Sequence, residues 1–109
     1  MRDEKRRRLE AKGWKVGTPA ELLGLTPEEA AYVEIRLRLA SGVKRQRIRR
    51  GVTQVALAKA IRSSQSRVAK MEAGDPSVAI DLLVRTLLVL GANDRAIAAM
   101  IVGTPARAA

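Results

Sequence analysis

The side chains that could carry chemistry in this chain are amides, hydroxyls and cations, rather than nucleophiles or metal ligands. The sequence has no cysteine and no histidine, which excludes disulfides, thiol nucleophiles, zinc fingers and imidazole acid–base catalysis together. A compact group of polar residues consists of Gln65, Ser66, Arg67 and Lys70. Side chains of these types hydrogen-bond to base edges and neutralise phosphates. We therefore expect nucleic-acid recognition, and neither an enzyme active site nor a cofactor.

A short helix is predicted to precede these residues. Thr53 is suited to an N-cap, because its hydroxyl can accept a hydrogen bond from a free N–H of the first helical turn. Val55, Ala58 and Ile61 then recur on one face, with Leu57 beside them. This spacing predicts the buried side of the helix.

A second short helix is predicted to present the polar group to solvent. Ser64 is placed to cap it after a polar interruption, and Val68 and Met71 fall on its buried side. Ala58 of the preceding helix is small, so the two helices can cross closely after a tight turn. Residues 53–74 are therefore predicted to form a DNA-binding helix-turn-helix.

The motif resembles the helix-turn-helix of Cro/repressor-type (XRE) regulators. The resemblance is carried by Thr53-Gln54, Leu57-Ala58, Ser64-Gln65-Ser66 with Val68, and Glu72-Ala73-Gly74, and it extends over about residues 43–90. In that family the Gln that begins the first helix binds a phosphate and braces the Gln that begins the recognition helix; here these are Gln54 and Gln65. The family usually has Gly in the turn, whereas this chain has Arg62, which a left-handed backbone would strain by about 1 kcal/mol.

The recognition helix, residues 65–73, is expected to lie in the major groove of DNA. We expect base contacts from Gln65, Ser66 and Arg67, and phosphate contacts from Thr53, Gln54, Arg62, Ser63 and Lys70. Each good side-chain pair with a base contributes about 1–3 kcal/mol of discrimination. One motif covers too few base pairs to be specific in a genome, so we expect a homodimer on half-sites about 34 Å apart. The alternative is a non-specific DNA coat that uses the same helix.

Arg47 and Glu72 are a further expected pair. Members of the family pair an Arg before the motif with the Glu that closes it, and these residues occupy the matching positions. As two exposed charges they would contribute less than about 1 kcal/mol. As a half-buried ion pair they would hold the helix before the motif against the end of the recognition helix, and loss of one partner would be strongly destabilising.

The predicted fold is all-α: a five-helix Cro/repressor-like helix-turn-helix domain with an N-terminal helical extension. The predicted boundaries are 1–25 for the extension, 26–103 for the DNA-binding domain and 104–109 for a tail. Thr26-Pro-Glu-Glu29 is a capping box with Pro at the first helical position, and it predicts a long helix to about Arg50. Apolar residues alternate over 33–39 as in a strand, but the capping box favours the helix.

The second half of this long helix is predicted to begin the DNA-binding unit. Gly42 marks a candidate bend, after which Val43 and Ile48 would face the core. The cations that would remain for solvent or phosphates are Lys44, Arg45, Arg49 and Arg50.

The N-terminal extension is strongly basic. Residues 2–12 predict a helix, Trp14-Lys15-Val16 a short strand, and Pro19 to Leu23 a helical turn. We expect Arg6-Arg7-Arg8 to be a solvated terminus, with an arm on DNA phosphates or a contact for an acidic partner as alternatives. Trp14 is expected to anchor a small core.

The chain after the motif is more apolar than one buried face requires. Ser77 is predicted to cap a helix from Val78 to Leu90, whose core stripe is Ile80, Leu83, Val84, Leu87 and Leu90. Leu82, Leu88 and Val89 lie on its other sides, which indicates a surface for a second copy, the N-terminal region or another protein. Asn93 is predicted to cap a last helix that carries Ile97, Met100 and Ile101 and ends at Gly103.

Length and charge limit the remaining possibilities. The 109 residues suffice for one domain with a modest core, and the formal net charge of +10 favours an anionic partner. No apolar run reaches the roughly 18 residues of a membrane span. The basic start is not followed by the apolar core of a signal peptide. We expect a cytoplasmic, bacterial, nucleoid-associated protein.

A narrower resemblance concerns biological role. The segments Gly13–Thr18, Leu22–Leu25, Glu28–Ala31 and Ser64–Asp75 are similar to those of HigA-type antitoxins, whose partners are RelE-like (HigB-like) ribonuclease toxins. By this resemblance the chain would neutralise a toxin and repress its own operon. Charge opposes such a complex, because RelE-like toxins are usually basic and the dense acidic patch here is only Glu28, Glu29 and Glu34. The alternatives are a stand-alone repressor of phage or host genes, or a protein-interaction module on a helix-turn-helix scaffold.

Overall fold

A computed structural model describes residues 23–103 of the chain. Within that range the helices are α1 (Pro27–Arg49), α2 (Gln54–Ala60), α3 (Gln65–Glu72), α4 (Ile80–Val89) and α5 (Asp94–Val102), with no strand among them. The predicted all-α, five-helix fold is confirmed. The predictions for the basic helix, Trp14 and its short strand, the turn that begins at Pro19, and the tail fall outside the described residues.

The chain divides into two compact units, residues 1–33 and 34–109. The described part of the first unit is a turn followed by the start of α1. There the predicted capping box forms in both directions. The Glu29 N–H donates to Thr26 Oγ1 at 3.1 Å, and the Thr26 N–H donates to Glu29 Oε1 at 3.1 Å. Two of the backbone donors at this helix end are thereby satisfied, which favours helix over the strand that the alternating apolar residues suggest.

In the second unit α1 continues without interruption through Gly42. The candidate bend at Gly42 is therefore not a break in the helix, and a contact with α5 explains the glycine. A Cβ atom at Gly42 would stand 2.4 Å from Sδ of Met100 on α5. The absence of a side chain lets α5 pack closely on α1 at this point.

The core of the second unit is aliphatic and is drawn from all five helices and the loops between them. Its buried members are Leu39, Ala40, Val43, Leu57, Ala58, Val68, Met71, Val78, Leu83, Leu87, Leu90, Ala92, Ile97 and Met100. Two expected members are exposed instead, Ile48 and Val55. On α2 the buried direction is set by Leu57 and Ala58, and Val55 lies two residues before Leu57, on nearly the opposite side.

Side chains of α1 cap the ends of two later helices. Leu90, the C-cap residue of α4, has a carbonyl that accepts hydrogen bonds from Gln46 Nε2 and Arg50 Nε, each at 3.0 Å. The Ile101 carbonyl in the last turn of α5 accepts one from Arg38 Nη1 at 3.1 Å. Cations at helix C-termini satisfy orphan carbonyls and complement the helix dipole. Arg50, expected to remain for solvent or phosphate, therefore has an internal role.

The start of α4 differs from the prediction. The helix begins at Ile80 rather than Val78, and its N-cap residue Ala79 makes no side-chain cap. Ser77 does not cap it, because the N-cap position is Ala79; the Ser77 N–H donates to Asp75 Oδ1 at 2.8 Å. This two-residue side-chain turn holds the chain in a non-helical conformation before the helix starts.

The apolar residues proposed as a partner surface on α4 differ in how far they are buried. Leu82 is half-buried and packs against the core of its own chain. Leu88 and Val89 are 53% and 55% exposed.

Among residues 23–103, no helix combines the length and apolarity that crossing a membrane requires.

Candidate nucleic-acid interface

Both helices of the predicted motif begin at side-chain caps. Thr53 Oγ1 accepts a hydrogen bond from the Ala56 N–H at 3.0 Å, and Ser64 Oγ accepts one from the Arg67 N–H at 3.1 Å. Both caps were predicted from the sequence. The Ser64 cap makes Gln65 the first residue of α3, so Gln65, Ser66 and Arg67 lie at the N-terminal end of this helix.

A left-handed turn joins α2 to α3. Arg62 has φ of 56°, and the hydrogen bonds around it are those of a Schellman motif. The Ser63 N–H donates to the Ala58 carbonyl at 2.7 Å, and the Arg62 N–H donates to the Lys59 carbonyl at 3.2 Å. Arg62 thus occupies the position that favours glycine, with its side chain exposed. Ser63 is half-buried.

The recognition helix has one buried side and one open side. Val68 and Met71 are completely buried, as predicted. The exposed residues of α3 are Gln65, Ser66, Arg67, Ala69 and Lys70. Thr53 at the start of α2 is also exposed, and Gln54 is half-buried. The three predicted base-contact residues therefore lie together at an accessible helix end, where amide, hydroxyl and guanidinium groups are all available for hydrogen bonds.

Positive charge predominates over residues 53–71. Residues 53–71 contain four cations and no Asp or Glu: Lys59, Arg62, Arg67 and Lys70. None of their side chains forms a hydrogen bond or ion pair within the described part of the chain. Arg38 and Arg47 of α1, and Arg50 just after it, differ because they bond to carbonyls or carboxylates of the protein itself. The cations left for an external anion therefore include those around the turn and α3, together with Lys44 and Arg49 of α1.

A mostly buried ion pair attaches α3 to α1. Arg47 contacts both carboxylate oxygens of Glu72, with Nη2 to Oε1 at 3.0 Å, and its Nη1 donates to the Val52 carbonyl at 3.0 Å. The side chains are 13% and 4% exposed. The pair expected from the resemblance is therefore present in its bidentate form, the geometry in which such pairs are strongest.

The surroundings of Glu72 keep its carboxylate charged. Burial raises the pKa of Glu72, but hydrogen bonds from Arg47 and Gln54 outweigh burial and leave this pKa below its ordinary value. The hydrogen bond to Glu72 correspondingly raises the pKa of Arg47. The cluster is thus an ionised pair at neutral pH, and it orients the C-terminal end of α3.

Gln54 has a different partner from the one expected. Its Nε2 donates to Glu72 Oε1 at 3.1 Å, and the brace to Gln65 is wrong. A charged carboxylate is a stronger acceptor than the amide of Gln65 would be. Gln54 therefore supports the Arg47–Glu72 pair, and its second amide N–H is available to another acceptor.

Comparison with known proteins is consistent with this architecture. A family model described as a helix-turn-helix domain matches residues 37–100, a segment that runs from within α1 to within α5. No curated protein and no solved structure matches the chain. The matched segment is more than half of the 109 residues and contains both capped helices, the turn and the ion pair. The chain belongs to the helix-turn-helix domain family found in XRE-like regulators.

Proposed function

We propose that this protein is a transcriptional repressor that binds a specific double-stranded DNA sequence with α3 in the major groove. The observation that carries the proposal is the open side of α3. It presents hydrogen-bonding side chains at the helix N-terminus, in a segment with four unpartnered cations and no anion. Hydrogen-bonding groups on a helix discriminate bases, and surrounding cations supply affinity for the phosphates.

The proposed contacts divide by chemistry. Gln65, Ser66 and Arg67 contact base edges, because they lie at the end of α3 that enters the groove first. The phosphate contacts are Thr53, Gln54, Arg62, Ser63 and Lys70. The capping role of Thr53 does not prevent this contact, since its hydroxyl accepts from Ala56 and still has a proton to donate to a phosphate oxygen.

Sequence-specific binding is proposed to involve a homodimer. One α3 contacts only a few base pairs, so two copies on half-sites about one helical turn apart are needed for useful specificity. Two large apolar side chains on α4, Leu88 and Val89, are more than half exposed. They are the residues of the candidate interface that are free to pack against a second copy.

The proposal is tested by fluorescence anisotropy with the full chain and two labelled duplexes. One duplex is the region upstream of the protein's own gene, and the other is a scrambled version of it. We expect tighter binding to the upstream duplex that persists near physiological salt. With Arg62 and Lys70 as the cationic phosphate contacts in each copy of a dimer, log affinity should fall against log salt with a slope of about −4. Equal and salt-labile binding to both duplexes would contradict a specific regulator and favour an interaction module on this scaffold.

A narrower candidate is an antitoxin that neutralises a RelE-like toxin and represses its own operon. It is supported by the similarity of Ser64–Asp75 to HigA-type sequences. The acidic residues available to a basic toxin are partly engaged, since Glu34 pairs with Arg38 and Glu29 accepts from Thr26. Inducing the neighbouring gene in bacteria should arrest growth, and co-expression of this chain should restore it. Continued arrest with this chain present would leave the stand-alone repressor of phage or host genes.

A further inference from the structure

Three helices meet at the carboxylate of Glu72. Its Oε1 accepts hydrogen bonds from Arg47 Nη2 of α1 at 3.0 Å and from Gln54 Nε2 of α2 at 3.1 Å, and its Oε2 accepts one from Arg47 Nε. Arg47 also donates to the carbonyl of Val52, so the same side chain holds the backbone that leads into α2. The Glu72 side chain is only 4% exposed, so it does not itself reach a bound duplex.

The bond to Glu72 determines which way the amide of Gln54 is turned. Burial raises the pKa of Glu72, but hydrogen bonds from Arg47 and Gln54 leave this pKa below its ordinary value, so the carboxylate is ionised at neutral pH. An ionised carboxylate only accepts hydrogen bonds, and it therefore selects the NH₂ end of the amide rather than the carbonyl. The second N–H on the same nitrogen remains for an external acceptor such as a phosphate oxygen.

Gln54 differs in this respect from the other proposed DNA contacts. Thr53 bonds only to a backbone N–H, and within residues 23–103 no hydrogen bond to another side chain is formed by Arg62, Ser63, Gln65, Ser66, Arg67 or Lys70. Gln54 is also half-buried. A donor that is ordered before DNA arrives loses little conformational entropy on binding, whereas a free side chain has to be immobilised. Gln54 is thus the proposed contact that the protein itself preorganises.

We propose that Glu72 is a positioning residue for DNA binding, which holds the amide of Gln54 so that its second N–H meets a backbone phosphate. This role is additional to the structural one, in which Glu72 joins α3 to α1. It rests on the proposed function, because the duplex supplies the phosphate. Since the amide of Gln54 carries no charge, the contact should raise the affinity for every duplex alike and leave the salt dependence unchanged.

Replacing Glu72 by Gln should remove this orientation. The new amide has one accepting oxygen in place of two, and Arg47 competes for it. Its NH₂ group is a donor, which favours the carbonyl of Gln54 over the NH₂ group of Gln54 as a partner. An amide of Gln54 that turns around no longer has an N–H where the phosphate contact requires one.

The test is a double-mutant cycle on DNA affinity with the full chain. Anisotropy first measures the wild type on the upstream duplex and on its scrambled version, at two salt concentrations. The same titrations follow for Glu72→Gln, for Gln54→Met and for the double variant, because methionine keeps the length of the side chain and loses its hydrogen bonds. Arg62→Ala, alone and combined with Glu72→Gln, is the matched control. Arg62 is another proposed phosphate contact, and it has no bond to Glu72.

Folding of each variant is verified by circular dichroism at the temperature of the titrations. Glu72→Asp replaces Glu72→Gln in the cycle if the latter does not fold. It keeps the counter-charge of Arg47 but is shorter by one methylene, so one carboxylate can no longer reach Arg47 and Gln54 with the same geometry.

We expect Gln54→Met to lower the affinity for both duplexes by about tenfold, with an unchanged salt slope. The loss of affinity caused by Glu72→Gln should be about tenfold smaller in the Gln54→Met background than in the wild type. In the Arg62→Ala background it should be the same as in the wild type.

Two results would overturn the inference. An equal loss from Glu72→Gln in all three backgrounds would show that Glu72 affects DNA binding only through the placement of α3. An affinity of Gln54→Met equal to that of the wild type would show that Gln54 makes no contact to position. Failure of the proposed function is recognised separately, because the wild type would then bind both duplexes equally. The cycle would still decide the role of Glu72 in that case, since phosphate contacts do not depend on sequence.

Discussion

Arg62 holds a backbone conformation that its own side chain disfavours. With φ of 56° it follows α2 at a position where glycine is usual, and the strain is about 1 kcal/mol. The side chain is exposed and has no internal partner to compensate for this strain. We therefore expect Arg62→Gly to raise the free energy of unfolding by up to about 1 kcal/mol. The same change should weaken DNA binding, because a cation near the phosphates is lost. Urea unfolding and anisotropy measure the two effects.

Arg62→Ala separates strain from charge. This variant keeps a Cβ atom in the left-handed conformation and loses the guanidinium, so its DNA affinity should match that of Arg62→Gly without the gain in stability. Equal stability of the two variants would show that the backbone is not strained. Unchanged DNA affinity in both would remove Arg62 from the interface.

At the scale of elements, the attachment of α3 to α1 depends on Glu72. Replacing it by Gln would leave the mostly buried Arg47 without its counter-charge. We expect Glu72→Gln to lower the free energy of unfolding by about 3 kcal/mol at neutral pH. DNA affinity should fall as well, because the C-terminal end of α3 and the side chain of Gln54 lose their common partner.

The contribution of Glu72 to the free energy of unfolding should decrease as the pH is lowered. Its pKa is lowered in the folded protein, so its stabilisation is fully present above the unfolded pKa of about 4.3. It is lost as the pH falls through the folded pKa. The stability gap between wild type and Glu72→Gln, measured by urea unfolding, should therefore be widest at neutral pH and should narrow below about pH 4.3.

Glu34→Gln is the matched control for this measurement. Glu34 pairs with Arg38 on the surface of α1, where the side chains are 66% and 42% exposed. Its loss should change stability by less than about 1 kcal/mol at any pH. A gap for Glu72→Gln that is equally small would mean that the Arg47–Glu72 pair is solvated, and a gap that widens on acidification would contradict the lowered pKa.

Features determined within a few residues were predictable from the sequence. The caps at Thr26, Thr53, Ser64 and Asn93 each bond to an N–H three positions later, so their partners are local. The extents of α2 and α3 were also predictable, because their apolar residues recur at helical spacing. These local signals, with the resemblance, located the candidate site before any tertiary contact was known.

Features that depend on distant contacts were not predictable in the same way. Arg50 caps a carbonyl 40 residues away, and Arg38 one 63 residues away. No local sequence pattern distinguishes arginines that cap a distant helix from arginines that remain available to bind a phosphate. From the sequence alone, Gly42 suggests a bend in the helix. Only the folded structure shows that the sulfur of Met100 packs against it. The rotation that exposes Val55 on α2 is likewise set by the core that Leu57 joins.

For the whole molecule, the formal net charge of +10 does not say where on the surface the cations lie. Arg38 and Arg47 of α1, and Arg50 just after it, bond to the ends of α5, α3 and α4. The motif keeps its cations free and contains no anion between residues 53 and 71. Distribution, rather than total charge, therefore connects this fold to an anionic ligand.

A dimer on DNA would involve Leu88 and not Leu82. Leu82 packs into the core of its own chain, so a charge there would disturb folding rather than association alone. Leu88 is 53% exposed and can accept a charge in the monomer. We expect Leu88→Glu to raise the dimer dissociation constant by at least about tenfold, because association would bury an unpaired carboxylate. Sedimentation velocity at several concentrations measures the change.

The DNA-binding consequence distinguishes a functional dimer from an incidental one. Leu88→Glu leaves α3 intact, so its affinity for a duplex with one half-site should equal that of the wild type. Its affinity for the full two-fold site should fall, because two copies that no longer associate bind the two half-sites independently. Ile48→Glu is the control, because Ile48 is an exposed aliphatic residue on α1 rather than on α4. An unchanged sedimentation profile for Leu88→Glu would reject α4 as the interface, and an equal loss on both duplexes would show that the substitution had damaged the motif.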